Sequence, residues 1–311
     1  MSVPRDVASR LRQRVWEGSI PLEIRLNKGD SRSYDGSEPY LIHLPRVSYL
    51  GLLLQRLHAF FARDLIYPDV APTEGWLSFE HVPLKWHYPI GVLYDLYSGA
   101  EPTYPSDPDA DNQVPAEEIE SLPWKLTVHY SDYPIGQMIK LDKDGKHLHD
   151  LYINSVKEAD MLRNGNAKTI MSMPLKDSEQ LWESIKDHSF PLFNPINQKL
   201  LNPQGMDLRN VPLRLYVPHR AADTIEEEPV AGSIRVVQTP IPLSISSRQP
   251  QTIGTALNQL LPNLFPSPRT ALLAQPVLHG AVLPMNGKIE EVLKTSAYSD
   301  GWLHIAIVMM G

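Results

Sequence analysis

Apolar and polar residues alternate along Pro21-Leu22-Glu23-Ile24-Arg25-Leu26, the period of a half-buried strand. A second run of the same kind follows at Tyr40-Leu41-Ile42-His43-Leu44. Residues 49–65 change period. Leu50, Leu53, Leu54, Leu57, Phe60 and Phe61 recur at steps of three and four, which predicts a helix with one apolar face. An apolar segment at 76–82 leads into Pro89-Ile90-Gly91-Val92-Leu93-Tyr94-Asp95-Leu96-Tyr97, and the series closes on a strand at 124–130. The order then returns. Residues 212–217 and 233–237 alternate, 252–265 read as a helix, 275–283 as a strand, 289–298 as a short helix, and 302–308 as a closing strand.

An element order that occurs twice outranks any single motif, because missing it miscalls the fold. Strand-strand-helix-strand-short helix-strand is the order of a ubiquitin-like β-grasp domain. The fold class expected is α+β, with two such domains flanking a helix-rich module and an N-terminal helix before them. The expected divisions are 1–18 for the N-terminal helix, with Val7, Leu11 and Val15 on one side, and 19–135 for the first ubiquitin-like domain. Residues 145–203 make the helix-rich domain and 208–311 the second ubiquitin-like domain. In the middle region, 149–163 carries Leu151, Val156, Ala159 and Leu162 and stops at Asn164-Gly165, a helix-ending pair. A second helix is expected from Asp177 or Ser178, either of which could cap it, and a third over 195–201. Residues 131–146 and 202–210 read as linkers. Residues 100–122, with four prolines among acidic residues, read as an exposed loop with a helical turn at 116–121, and 219–232 as an acidic loop.

Composition narrows the function. With 311 residues and 42% hydrophobic content the chain can bury more than one core. Mean hydropathy is -0.26, and no apolar run reaches the roughly 18 residues of a membrane span. A net charge of -7 lacks the basic stripe of a nucleic-acid binder. The absence of cysteine removes disulfides, thiolate metal sites and thiol nucleophiles, and with them any ability to carry a thioester. Arg10, Arg12 and Arg14 come with no apolar core of a signal peptide. The last strand runs almost directly into Gly311, which favours a recipient of a modifier over a modifier with a flexible tail. Glu80-His81, His87 and the pair His147 and His149 do not match a helical metal motif, and strand geometry would send the last two to opposite faces. No Gly-x-Ser-x-Gly elbow occurs, and Gly91 and Gly99 stand alone without a phosphate loop. Metals, cofactors and catalytic residues are therefore expected to be none. Trp86, Tyr88, Trp124 and Trp302 are expected in cores or domain contacts.

Three segments resemble the autophagy protein 5 family: Val15-Trp16-Glu17-Gly18-Ser19-Ile20-Pro21-Leu22; Pro83-Leu84-Lys85-Trp86-His87-Tyr88-Pro89-Ile90-Gly91-Val92-Leu93-Tyr94-Asp95; and Leu122-Pro123-Trp124-Lys125-Leu126-Thr127-Val128-His129, with Lys157-Glu158-Ala159-Asp160 further on. The second is the most specific. The resemblance implies a non-catalytic scaffold of autophagy conjugation. Such a chain accepts the ubiquitin-like autophagy protein 12 by isopeptide bond and binds the coiled-coil autophagy protein 16. It promotes joining of autophagy protein 8 to phosphatidylethanolamine. It also implies a cytoplasmic protein, peripheral on the phagophore membrane, which meets the conjugating enzyme through the modifier. A non-covalent adaptor with ubiquitin-like domains is the alternative.

The implied acceptor is Lys168, in Asn164-Gly165-Asn166-Ala167-Lys168-Thr169-Ile170-Met171-Ser172-Met173, fourteen residues before Trp182. Chemistry agrees with the placement. There are thirteen lysines, and this one follows a glycine-containing loop after a helix end, where an amine can reach an acyl carbonyl. A free lysine, at a pKa of about 10.4, is almost wholly protonated at neutral pH. Deprotonation and orientation must therefore come from the conjugating enzyme.

Overall fold

The computed structural model describes residues 5–34, 36–100, 122–201, 208–218 and 232–310. The expected loops at 100–122 and 219–232 fall largely outside these residues, as does most of the linker at 202–210. Helix α1 (Arg5–Glu17) belongs to the second of two compact units. The first holds residues 18–100 and 122–152, and the second 5–17 and 153–310.

In the first unit, β1 (Ser19–Leu26), β2 (Tyr40–Pro45), β3 (Trp76–Phe79), β4 (Val82–Pro83) and β5 (Trp124–His129) lie in the order β2-β1-β5-β3-β4. The central pair, β1 and β5, is parallel and sets Leu22 beside Trp124, Ile24 beside Leu126 and Leu26 beside Val128. All six are buried, and the odd-numbered Lys125, Thr127 and His129 face the other way. The helix expected at 49–65 is shorter. A 3-10 turn at Leu50–Leu53 runs into α2 (Leu54–Phe61), and Leu50, Leu53, Leu54, Leu57 and Phe61 are buried. Burying each such side chain contributes about 1.5–3 kcal/mol. Phe60 is exposed and meets Tyr40 edge-on instead. The Pro83 to Asp95 motif supplies β4 and α3 (Ile90–Tyr97), whose Asp95 pairs with Arg46.

The strand expected across 76–82 is a hairpin, not one strand. Glu80 and His81 both have positive φ, 46° and 69°, and form its two-residue turn. That local role accounts for a pair that would otherwise invite a metal reading. Residues 131–145, expected as a linker, pack on this unit: Met138 and Leu141 are buried, and the Trp86 Nε1 donates to the Ile139 carbonyl at 2.7 Å.

Four helices come next: α4 (Lys146–Asn164), α5 (Lys168–Met171), α6 (Leu175–Lys186) and α7 (Phe190–Leu201). Three expectations need correction. His147 and His149 lie on α4, not on a strand; their Nδ1 atoms face the Lys140 carbonyl and Asp150. Helix α6 begins two residues early with Pro174 at the cap, and Asp177 sits in its first turn, taking Lys199 Nζ at 2.6 Å. Helix α7 starts at Phe190 with Pro191 in its first turn, where a missing N–H costs nothing, and Pro195 lies inside. Helix α1 is also turned from its expected face. Leu11 is 39% exposed, while Ala8 and Trp16 are buried. The Trp16 ring stacks on Phe193 at 4.4 Å and its Nε1 donates to the His188 carbonyl.

The second sheet holds β6 (Asn210–Pro218), β7 (Ile234–Pro242), β10 (Ala274–Leu278), β11 (Ala281–Val282) and β12 (Leu303–Met309); a hairpin of β8 (Ser244–Ser246) and β9 (Gln249–Pro250) stands apart. Its order is β11-β10-β12-β6-β7, the first sheet read from the other edge, again with a parallel central pair. Helix α8 (Ile253–Leu260), closed by a capping box at Thr252 and Thr255, lies where α2 lies in the first unit, and α9 (Ile289–Ser296) corresponds to α3. The β10–β11 turn, His279-Gly280, repeats the positive φ of Glu80-His81.

Candidate functional site

The site is built on the end of α4. The register that puts Leu213 beside Leu303 sets His304 beside Arg214 and Ala306 beside Tyr216 on the opposite face of the sheet. Helix α4 covers that face. Trp302 Nε1 donates to the Ser155 carbonyl at 2.9 Å, Ser155 Oγ donates to Asp300 Oδ2 at 2.7 Å, and Arg214 Nη2 reaches Glu158 at 2.8 Å. The Arg214 guanidinium lies 4.0 Å over the Trp302 ring. One turn on, Gly301, at φ 85°, leaves room for Arg163: a Cβ there would come within 3.0 Å of Nη1. At the helix end, Asn210 Nδ2 donates to the Leu162 carbonyl and the Arg209 N–H to the Arg163 carbonyl.

Buried charge on this face follows from its partners. Burial by itself would raise the Asp300 carboxyl, but His304, Arg214 and Ser155 outweigh it and bring it down to about 2. Burial pushes His304 below the usual imidazole range despite Asp300. The neutral ring then donates from Nε2 to Asp300 at 3.0 Å and accepts the Tyr216 hydroxyl at Nδ1, 2.7 Å away. Arg163 is buried between Asp160 and Asp300, and desolvation lowers its guanidinium.

Helix α4 stops at Asn164, and Gly165 takes φ 76°, as an αL terminator does. Two residues later Lys168 opens α5. Its side chain is exposed, and no carboxylate among the described residues pairs with its ammonium. Its main chain is held at both ends. The Lys168 N–H donates to Asn166 Oδ1 at 3.0 Å, and its carbonyl accepts from the Ser172 N–H at 2.9 Å and the Ser172 Oγ at 2.7 Å. Below it Ile170 is buried, and the Ile170 N–H donates to Asp160 Oδ2 at 3.1 Å. Such a turn carries an exposed primary amine on a held backbone. Six other lysines, Lys140, Lys146, Lys186, Lys199, Lys288 and Lys294, form ion pairs.

Sequence reasoning singled out Lys168 and read Asn164 as part of a helix stop, but gave no role to Asp160 or Arg163 and did not foresee that Asn164 donates to Asp160. A signal was present: Val156, Ala159, Asp160 and Arg163 share one helical stripe, and charges on an apolar stripe call for buried partners. Among the described residues, no three His, Cys, Asp or Glu side chains gather as a metal ion would require, and no helix is long and apolar enough to cross a membrane.

Two sheets of the same strand order, each crossed by a helix, define a protein with tandem ubiquitin-like domains around a helical region. Comparison with known proteins gives the family. The chain matches the UblA domain of autophagy protein ATG5 over residues 15–130, its alpha-helical bundle region over 145–203, and its UblB domain over 210–307. It is 60% identical to autophagy protein 5 of Phaeosphaeria nodorum over 310 residues, 99% of each chain, and 49% identical to that of Aspergillus terreus over 314 residues, 97% of each. The crystal structure of Kluyveromyces marxianus Atg5 superposes with a TM-score of 0.71 at 21% identity, covering 96% of this chain and 98% of that one, which shows a shared fold. The chain belongs to the autophagy protein 5 family, and its role is in autophagy.

Proposed function

We propose that this chain is a non-catalytic scaffold that accepts a ubiquitin-like modifier, autophagy protein 12, at Lys168, and that residues 145–203 serve as the acceptor module between ubiquitin-like domains at 19–135 and 208–311. The Lys168 Nζ, once its proton has passed to the conjugating enzyme or solvent, attacks the thioester carbonyl carbon of the modifier. The C–N bond forms, the C–S bond breaks, and the enzyme's sulfur leaves as its thiol, taking up the second proton that the nitrogen sheds. The conjugate binds the coiled-coil autophagy protein 16 at the phagophore membrane. Ligase-like activity toward a second ubiquitin-like protein and phosphatidylethanolamine belongs to that assembly.

The observation that supports this reading is the exposed Lys168 amine on a turn bonded at both ends of its main chain. The test is intact mass after reaction with the modifier and its activating and conjugating enzymes. The wild type gains one modifier, and Lys168→Arg gains none, because a guanidinium stays protonated and cannot attack. Since the side chain is exposed, Lys168→Arg shifts stability by no more than about 0.5 kcal/mol. Attachment mapped to Lys157 or Lys176 would move the acceptor. An unmodified wild type would favour the non-covalent adaptor.

A further inference from the structure

We propose that Asp160 is the positioning residue of the acceptor turn, acting through the backbone of α5 to hold Lys168 for attack. The inference rests on Lys168 being the acceptor.

A helix of one turn has little stability of its own, since nucleation is its costly step. Helix α5 spans only Lys168–Met171, and its N-cap, Ala167, has no side-chain oxygen for the free N–H groups. The Ile170 N–H is satisfied instead from outside, by Asp160 Oδ2. That carboxylate sits on the nineteen-residue α4 and is fully buried. It cannot swing away. Its other oxygen takes Asn164 Nδ2 at 2.6 Å and lies 3.7 Å from Arg163 Nη2, and Arg163 is itself backed by Gly301. A bond from N–H to a buried anion is stronger than one between neutral groups.

Burying a carboxylate is a costly way to close one turn at the surface. What the bond holds in place is the backbone that carries the exposed lysine. Asn166 and Ser172 complete the hold from outside. Acyl transfer is sensitive to such placement, and a shift of about 1 Å in a reacting group can cost about 100-fold in rate.

The test is single-turnover transfer of the modifier from its charged conjugating enzyme to the full chain, with amide exchange read at Ile170. Asp160→Asn keeps the volume but turns one acceptor into a donor. The expected result is faster exchange at Ile170 and a maximal rate lowered between about 10- and 100-fold, at an unchanged half-saturating enzyme concentration. A purely structural Asp160 would reduce the folded fraction and leave the maximal rate per folded molecule alone. Faster exchange with an unchanged maximal rate therefore overturns the proposal. If Asp160→Asn does not fold, the pair Asn166→Ala and Ser172→Ala, half-buried and exposed respectively, decides: a fall of about tenfold supports it, and no fall overturns it. Wild-type attachment at another lysine would overturn the acceptor reading and this inference with it. Attachment at Lys168 with an unaffected Asp160→Asn would overturn this inference alone.

Discussion

Trp302 and Ser155 are joined across 147 positions of sequence by one hydrogen bond, from the indole Nε1 to the main-chain carbonyl at 2.9 Å. Trp302 is fully buried, and the bond ties the last strand of the second ubiquitin-like domain to the helix that leads to Lys168. Trp302→Phe keeps an aromatic ring but removes the donor and weakens the stack under Arg214. The expected loss is about 2 kcal/mol, read as a lower urea midpoint. An unchanged midpoint would show that the bond contributes nothing net.

Acid should destabilise the same interface. His304 is held below the ordinary imidazole range by burial, so below about pH 6.5 the unfolded chain takes up a proton that the folded one refuses. Asp300 is brought down to about 2, against burial, by His304, Arg214 and Ser155. Below about pH 4 the unfolded carboxyl therefore binds a proton first. Both contributions are whole above about pH 6.5 and are lost on acidification, with a slope of up to about 1.4 kcal/mol per pH unit for each group. Urea midpoints between pH 7 and 4 measure it. His304→Gln should flatten the limb between about pH 6.5 and 5, and an unchanged slope would refute the assignment.

Gly254→Ala should reverse the usual helix preference. Alanine is normally better than glycine inside a helix by about 1 kcal/mol. Here an added Cβ would meet the Pro268 carbonyl oxygen at 1.9 Å and that of Met285 at 2.9 Å, both backbone. A loss of at least about 3 kcal/mol is expected, from overpacking against a frame that cannot move aside cheaply. A melting temperature equal to or above wild type would contradict that.

In the first unit, Trp76 stacks on His129 at 3.9 Å between ring centroids, and the imidazole is pushed down to about 4, first by burial. Ser78 Oγ lies 2.8 Å from its Nε2. Protonated imidazole quenches indole fluorescence. The Trp76 signal, taken as wild type minus Trp76→Phe, should therefore fall on acidification with a midpoint near 4. A midpoint at the ordinary histidine value would show that His129 is open to water.

Local signals in the chain were enough to place most strands of the two sheets and the helix stop before Lys168, whereas Lys168 itself was singled out by the family resemblance. Alternation marked β1 and β6, and three- and four-residue spacing marked α2 and α8, because both periods come from side chains close in sequence. Boundaries failed where a local preference had a rival nearby. Pro195 looks like a helix start until Pro191 takes the first turn, and Asp177 looks like a cap until Lys199 claims it. Leu11 fits an apolar stripe on α1, but Trp16 stacked on Phe193 turns the helix another way.

By itself, the sequence determined that two β-grasp domains flank a helical region and that Lys168 follows a helix stop. Each of these depends on residues within about one element of each other. Tertiary structure decided which sheet faces are covered. Lys125, Thr127 and His129 line the outer side of β5, whereas Leu303-His304-Ile305-Ala306-Ile307 is buried on both sides because α4 closes over it. It also decided that Asp160 reaches Ile170, that Arg163 lies against Gly301, and that Asp300 gathers Ser155, His304 and Trp302. A buried charge is tolerable only where partners surround it. For Asp300 the essential partner on α4, Ser155, lies 145 residues away along the chain, beyond the reach of any local pattern.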